Sequence, residues 1–252
     1  MRTLYKYAPG PDASRLEDRP IPELTALEHP EWLLYIHRAY VEAGAQILYA
    51  NTFGANREKL SHCGKTVEEI VPAAVALAKE AAQGRALVAL DIGPTGQLLE
   101  PTGILDFETA VDIFAQVVKA GAAAGADLIV IETMTDLQEA RAALLAAKEN
   151  SSLPVIVTMT YEERGRTFLG CDPASAALTL EGMGADAIGV NCSLGPREMP
   201  PLVRELTRWS TLPIAIKPNA GLPDPGGAGY DITAEEFAGS MAELTDRKST
   251  RQ

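Results

Sequence analysis

The sequence predicts an α/β protein of the (β/α)8 TIM-barrel type, and three observations support this prediction. Stretches typical of strands and helices alternate along the 252-residue chain with short connections, as in parallel α/β architectures. The predicted strands are apolar along their whole length, which is typical of parallel strands covered on both faces. Polar side chains recur where these strands end, and barrels of this type gather their active sites from many strand ends.

The elements follow one another in a regular order. Residues 1–27 are rich in Pro, Asp and Arg and show no clear period, so we expect them to be irregular. Pro30 suits the first turn of a helix, apolar residues then recur at helical spacing, and Gly44 ends the helix. The predicted strands are 47–52, 86–92, 128–132, 154–159, 187–191 and 213–217. The helices predicted between and after them are 66–83, 106–124, 136–149, 172–182, 196–207 and 234–244.

These elements define the expected domain organisation. We divide the chain into an irregular segment 1–22, a barrel domain 23–246 and a tail 247–252. Six predicted strands are two short of the eight that close a barrel. The missing pair would be the first and the last strand, which are neighbours in a closed barrel. We therefore expect an incomplete barrel.

Composition limits the class of protein. The formal net charge of −12 makes nucleic acid an unexpected partner, because an acidic surface repels phosphate backbones. No apolar run approaches the roughly 20 residues that span a bilayer, and the first residues lack the apolar core of a signal peptide. We therefore expect a cytoplasmic protein without a membrane partner. Three widely spaced cysteines indicate no disulfide framework.

One sequence arrangement occurs three times. A Gly-Ala pair leads into an apolar strand, and a polar residue follows seven positions after the glycine. The polar residues that end these strands are Asn51-Thr52, Glu132-Thr133 and Asn191-Cys192. Asp91 and Lys217 lie at two further strand ends, and Asn219 follows Lys217 closely. Each of these residues either contributes to a common site or caps the helix that follows.

Glu132 and Lys217 have the most specific chemistry among them. Glu132 directly follows Leu-Ile-Val-Ile, so its carboxylate is expected to be half-buried and to need a cation or hydrogen-bond donors. A substrate ammonium group would serve. Lys217 either forms a Schiff base with a carbonyl substrate or takes part in a structural ion pair.

Cys192 has two interpretations on residue chemistry alone. A buried cysteine is commonly inert packing, whereas a nucleophilic cysteine needs a nearby histidine. The three histidines lie in the first quarter of the chain, on or near predicted helices rather than at strand ends: His29, His37 and His62. A Cys-His pair is therefore not expected.

Six motifs occur in an order that is more specific than any one of them. They are Leu27-Glu28-His29-Pro30, Tyr49-Ala50-Asn51-Thr52-Phe53-Gly54-Ala55-Asn56, Asp91-Ile92-Gly93-Pro94-Thr95-Gly96, Ile131-Glu132-Thr133-Met134, Gly189-Val190-Asn191-Cys192-Ser193 and Lys217-Pro218-Asn219-Ala220-Gly221. In this order they resemble the homocysteine S-methyltransferase domain. The resemblance is greatest to the homocysteine-binding barrel of cobalamin-dependent methionine synthases.

The resemblance implies a reaction and a set of site residues. The family transfers a methyl group to the thiol of homocysteine, giving methionine, and binds zinc through three cysteine thiolates. The methyl donor would be methylcobalamin on a separate corrinoid protein, or a sulfonium or ammonium compound. Cys192 corresponds to a zinc ligand and Glu132 to the residue that binds the substrate ammonium group. The surrounding polar residues correspond to Asn51, Thr52, Asp91, Asn191 and Asn219.

Two parts of the family pattern have no counterpart here. The family's adjacent Cys-Cys pair at the end of the eighth strand is absent, and so is its Asp-Gly-Ala-Met-Gly-Thr type loop after the first strand. Cys171, in the loop after the fourth predicted strand, is a candidate second thiol beside Cys192. Zinc is usually held by three or four protein ligands, so this pair alone would not complete a site.

Three functional hypotheses therefore stay open. The first is a homocysteine methyltransferase. The second is a truncated, non-catalytic or partner-completed barrel that forms homo-oligomers through its open sheet edge, where unpaired backbone groups favour association. The third is a zinc-free barrel enzyme in which Glu132 and Lys217 carry acid–base or carbonyl chemistry.

Overall fold

Six parallel strands form one sheet in the computed structural model, which describes residues 21–221 and 232–249. We number them β1 to β6: Ile47–Tyr49, Leu87–Ile92, Leu128–Met134, Val155–Met159, Ala187–Asn191 and Ile214–Lys217. Their spatial order in the sheet is their order in the sequence. This confirms the predicted α/β class, and it is the arrangement of six successive units of a (β/α)8 barrel.

Helices precede the sheet and connect its strands. We number them α1 to α9: Thr25–Glu28, Pro30–Glu42, Arg57–Leu60, Val67–Ala82, Phe107–Ala123, Leu137–Asn150, Pro173–Gly182, Met199–Trp209 and Ala234–Ser249. Several begin at side-chain caps, which accept a hydrogen bond from a backbone N–H near the helix start and so satisfy a group that the helix leaves unpaired. These caps are Thr66, Asp106 and Asp172. Among the described helices, none is both long and apolar enough to cross a membrane.

The structure corrects the predicted irregular start of the chain. Pro22–Leu24 forms a turn of 3-10 helix, and α1 follows it directly. Ala26 of α1 is buried against Leu33 and Ala74, so packing stabilises a helix that is too short to show periodicity in the sequence. The helix α3 was likewise not predicted, although Asn56 caps it. Residues 1–20 lie outside the described part of the chain.

The described chain divides into two compact units. Unit one comprises the described residues up to Ile131 together with Leu145–Val155, and unit two comprises Glu132–Leu144 and the described residues from Ile156 onward. In unit one, β1 pairs with β2 and the helix α4 contributes a row of fully buried side chains. The predicted limits of the barrel domain, 23–246, stay a prediction.

The strand register in unit two positions the candidate site. Val190 on β5 pairs with Met159 on β4, and Asn191 pairs with Lys217 on β6. Because parallel strands point the same way, their C-terminal ends lie along one edge of the sheet. The polar residues that end β5 and β6 are therefore neighbours, as the sequence predicts for strand-end residues.

Candidate functional site

A single buried amide connects the ends of three strands in unit two. Asn191, at the end of β5, is fully buried. Its Oδ1 accepts hydrogen bonds from the Thr133 N–H at 2.9 Å and from the Thr158 hydroxyl at 2.8 Å. Its Nδ2 donates to Thr133 Oγ1 at 2.7 Å and to Cys192 Sγ at 3.3 Å. These four bonds use both donors and both acceptor sites of the amide, so Asn191 acts as a positioning group for its neighbours.

The residues that Asn191 holds have left-handed backbone conformations. The φ angles are +64° at Thr133, +56° at Cys192 and +60° at Ser193. Such angles are uncommon outside glycine, and for a β-branched residue like Thr133 they are true outliers. Strain of this kind costs about 1–3 kcal/mol per residue and clusters at functional sites. The strain here brings Thr133 Oγ1 and Cys192 Sγ within 3.8 Å of each other.

Glu132 and Lys217 form an ion pair at the same strand ends. Lys217 Nζ donates a hydrogen bond to Glu132 Oε2. The Glu132 side chain is only 11% exposed, whereas that of Lys217 is 47% exposed. Glu132 was expected to need a cation or hydrogen-bond donors, and in the structure the protein itself supplies a cation, Lys217. For Lys217, the structure agrees with the ion-pair interpretation.

The contact between Glu132 and Lys217 also bears on the curvature of the sheet within unit two. Glu132 lies two residues before the end of β3, and Lys217 lies at the end of β6, three strands away. In a flat sheet, strands spaced by about 4.8 Å would place them roughly 14 Å apart. Contact across a flat sheet would need both side chains fully extended toward each other, so the contact favours strand ends that curl toward one another. This curl brings a charged pair beside the polar network of Asn191.

Backbone hydrogen bonds join the loops that follow β5 and β6. The Cys192 N–H donates to the Lys217 carbonyl at 3.1 Å, and the Asn219 N–H donates to the Leu194 carbonyl at 3.0 Å. Unit two thus brings together Glu132, Asn191, Cys192 and Lys217, while Asn219 lies in the loop beside them. Thr133, a strand-end candidate in the sequence, and Thr158, which we did not predict, belong to this cluster through their hydrogen bonds with Asn191.

Three predicted site residues belong to unit one, where their described contacts are with the backbone. The Thr52 hydroxyl accepts from the Asp91 N–H at 3.0 Å and donates to the Asp91 carbonyl at 2.8 Å, which ties the end of β1 to β2. Asn51 Nδ2 donates to the Pro22 carbonyl at 3.0 Å. Asp91 is itself buried. For Asn51 and Thr52 these contacts agree with the alternative structural role.

A buried carboxylate near the start of the described chain was not predicted. Glu23 Oε1 accepts a hydrogen bond from the Gly54 N–H at 2.6 Å, and burial raises the pKa of this carboxyl group. A Cβ atom added at Gly54 would lie 2.8 Å from the same oxygen. Glu23 therefore anchors the loop after β1, and the irregular composition around it offered no indication of this role.

The described residues do not fit a zinc site of the usual kind. Cys192 Sγ has the neutral Asn191 amide and the Thr133 hydroxyl as hydrogen-bonding neighbours. Burial raises the pKa of the Cys171 thiol to about 11, which disfavours the thiolate that zinc binds. Within the described ranges, no group of three or more His, Cys, Asp or Glu residues is arranged to hold a metal ion.

A cavity of about 530 Å³ lies beside this cluster. Its lining includes Ser193, one residue past Cys192, with other residues of the loops that follow β4, β5 and β6 and of the start of α8. Three carboxylates contribute to the lining: Glu162, Glu163 and Glu198. A cavity of this size is in the range of small-molecule sites, and its lining favours positively charged over negatively charged groups.

Comparisons with known proteins point to one family. The homocysteine S-methyltransferase family model matches residues 8–251. Methionine synthases of Mycobacterium tuberculosis and Mycobacterium leprae are 32% and 31% identical over 228 residues, or 84% of this chain. The chain spans only 19% of the length of these two relatives.

A solved structure shares the fold. The metallated form of the Escherichia coli homocysteine methyltransferase MmuM superposes with a TM-score of 0.74 and 21% sequence identity, covering 92% of this chain and 93% of MmuM. At this identity the likeness shows the fold alone. With the six parallel strands in sequence order, it confirms the predicted fold class, an α/β fold consistent with an incomplete (β/α)8 barrel.

Proposed function

Because the chain belongs to the homocysteine S-methyltransferase family, we propose that it transfers a methyl group to the thiol of homocysteine and so forms methionine. One structural observation supports this proposal most directly. Glu132, a nearly buried carboxylate at a strand end, already holds an ammonium group, that of Lys217. The same position could hold the ammonium group of an amino acid. The names of the relatives agree with an amino-acid thiol as methyl acceptor.

The reaction is a nucleophilic displacement. The homocysteine thiol loses its proton to solvent, its sulfur forms a bond to the methyl carbon, and the bond between that carbon and the donor breaks. The donor keeps the electron pair of the broken bond. We infer that the methyl donor is methylcobalamin held by a corrinoid-binding protein or domain, with sulfonium and quaternary ammonium compounds as alternative donors.

The chain's own residues would bind and orient the acceptor. Glu132 would bind its ammonium group, while Asn191 holds Thr133 and Cys192 in their strained conformations beside it. Substrate contacts by Asn51, Thr52, Asp91 and Asn219 stay predictions. Zinc bound at Cys192 is a prediction of the resemblance alone, since the described residues do not complete its ligand set.

The test is methyl transfer from labelled donors. Purified protein is incubated with L-homocysteine and a trideuteromethyl donor, in turn methylcobalamin, S-methylmethionine and glycine betaine, and methionine is measured by mass spectrometry. We expect labelled methionine from at least one donor. Glu132→Gln should lower the rate about tenfold or more, because it removes the charge that binds the ammonium group.

A matched control is Glu80→Gln. Glu80 is an exposed carboxylate that also takes part in an ion pair, with Arg38. This variant should keep the rate of the unmodified protein. The proposal would be wrong if homocysteine showed no binding by calorimetry and no donor gave labelled methionine.

The structure bears on one of the two alternative hypotheses and leaves the other to experiment. Lys217 Nζ is engaged with Glu132 Oε2, which agrees with the structural ion pair rather than with the Schiff-base role. Assembly into a homo-oligomer stays a prediction, which gel filtration of the purified protein measures.

A further inference from the structure

We propose that Lys217 and Glu132 together recognise both charges of an α-amino acid, with Glu132 binding the ammonium group and Lys217 binding the carboxylate. Lys217 would then determine selectivity for zwitterionic acceptors over simple amines. This inference rests on the proposed function and adds to it a residue, Lys217, that binds the carboxylate of the substrate. It starts from the ion pair at the ends of β3 and β6.

The two members of the pair differ in their freedom to move. Glu132 has a short side chain that is 11% exposed, so its carboxylate is held in place. Lys217 has a long side chain that is 47% exposed, and its flexible stem allows its ammonium group to move. Its backbone stays fixed, because its carbonyl accepts from the Cys192 N–H and its strand register pairs it with Asn191. A ligand that binds Glu132 can therefore displace the ammonium group of Lys217.

Charge pairing explains why a zwitterion is the suitable ligand. When an amino acid enters, its ammonium group takes the place of Lys217 Nζ on Glu132, and the displaced Nζ meets the carboxylate of the same molecule. One ion pair becomes two, and each charge in the nearly buried site keeps an opposite partner. A simple amine would also displace Lys217 but would bring no anion for it. Separating a partly buried ion pair without replacement is costly.

The neighbouring cavity supports this placement of the carboxylate. Glu162, Glu163 and Glu198 line the cavity, and their charge repels an anionic group. The carboxylate of a bound amino acid is therefore favoured at the end of β6, beside Lys217. The neutral side chain of the amino acid, including its thiol, can then extend toward Ser193, which lines the cavity.

The experiment compares two ligands that differ only in the carboxylate. Binding of L-homocysteine and of 3-aminopropane-1-thiol is measured by calorimetry under reducing conditions. We expect the unmodified protein to bind homocysteine at least about tenfold more tightly, the factor that corresponds to 1.4 kcal/mol. Lys217→Met should weaken homocysteine binding by a similar factor. The same variant should keep or improve binding of the amine, because it removes the group that competes for Glu132.

Two further variants separate charge recognition from structural effects. Lys217→Arg keeps the positive charge and should keep the preference for homocysteine. Lys79→Met removes a comparable ion pair, that of Lys79 with Asp127 in unit one at 2.6 Å, and should leave the preference unchanged. Thermal denaturation confirms that each variant is folded. If Lys217→Met does not fold, the comparison is made with Lys217→Gln.

The possible results distinguish this inference from the proposed function. If homocysteine binds and Lys217→Met weakens both ligands equally or changes neither, Lys217 is a structural partner only and the inference is wrong. The proposed function would survive that result, provided that labelled methionine is formed and that Glu132→Gln lowers its rate of formation. If homocysteine does not bind the unmodified protein, both proposals fail.

Discussion

His37 is a buried side chain that the candidate site does not use. It lies on α2, and its Nε2 is buried without a hydrogen-bond partner among the described residues. Burial lowers the pKa of its imidazole to about 4, because the charged form loses its solvation. The folded protein therefore keeps His37 neutral at pH values where an unfolded chain would already protonate it.

This shift predicts acid sensitivity. In the unfolded chain the imidazole takes up its proton near pH 6.5, whereas the folded protein resists protonation down to about pH 4. The protonation of His37 therefore does not lower the free energy of unfolding at pH values well above 6.5. As the pH falls toward 4, it lowers this free energy by about 3 kcal/mol in total. Urea denaturation at pH 7 and pH 4.5 measures the loss, which should be smaller by about 2 kcal/mol in His37→Leu.

The exposed histidine His62 provides the matched control for this prediction. His62→Leu should lose as much stability on acidification as the unmodified protein. Equal losses in the unmodified protein and in His37→Leu would show that His37 does not contribute to the acid sensitivity.

Single residues also show where sequence reasoning succeeded and where it failed. The burial of Glu132 and its need for a cation or hydrogen-bond donors followed from the apolar strand before it. The partner Lys217 lies 85 positions away, and the Asn191 network reaches Thr133 over 58 positions. Patterns within one stretch of sequence do not predict contacts between residues that lie so far apart along the chain. The left-handed φ angles of Thr133 and Cys192 depend on the same network of long-range contacts. The chemistry of the strand ends was therefore predictable, but their mutual contacts were not.

At the level of elements, Gly189 allows β5 to approach β6 closely. Gly189 pairs in register with Ala215. A Cβ atom added at Gly189 would lie 1.9 Å from the Ala215 carbonyl oxygen and 2.7 Å from its carbonyl carbon. Both atoms belong to the backbone, so no side-chain rotation can relieve the clash, and the glycine is needed for this strand pair.

Gly189→Ala should therefore lower the free energy of unfolding by about 2 kcal/mol or more, because β5 and β6 must separate to admit the methyl group. The matched control is Gly239→Ala in α9, where the added Cβ would have no neighbour within 4 Å. Since alanine favours helices more than glycine does, the control should gain up to about 1 kcal/mol. Urea denaturation measures both, and equal effects would contradict the prediction.

Elements were predictable in proportion to their length and burial. The strands β2 to β6 and the capped helices α4, α5 and α7 begin and end within about two residues of their predicted limits, the precision expected for element boundaries, whereas β1 ends at Tyr49, three residues before its predicted end. The four-residue helices α1 and α3 were missed, because a single turn shows no period. The helix α8 begins at Met199 rather than at residue 196, although Pro196 offered a plausible first turn.

At the scale of the whole molecule, burial is unevenly distributed. All five residues of β5 are buried, whereas most described side chains of α9 are exposed. Leu244 is an exception in α9, with 3% exposure. Local opening costs least where few apolar side chains are buried.

Amide hydrogen exchange should reflect this distribution. We expect amides of α9 to exchange at least about tenfold faster than those of β5, since opening α9 exposes little apolar surface. Mass spectrometry of peptic fragments measures both segments in one sample. Equal protection of the two segments would show that α9 opens only together with the sheet.

The whole architecture was predictable because its evidence is distributed along the chain. Repeated strand and helix patterns indicated the α/β class, and six ordered motifs indicated the family that the comparisons confirm. The zinc ligands depended on the resemblance alone, and the described residues offer only Cys192 among the expected thiolates. A fold depends on many weak patterns, whereas a metal site depends on three or four particular residues.

The strand order has a consequence for how the protein is made. Because β1 to β6 follow one another in the sheet as they do in the chain, each new strand finds its partner among residues that have already been synthesised. Ribosomes add about 5–20 residues per second, so a new strand and helix emerge every few seconds. We therefore expect the sheet to grow during translation, one strand at a time, with β1 and β2 as the template onto which the later units assemble.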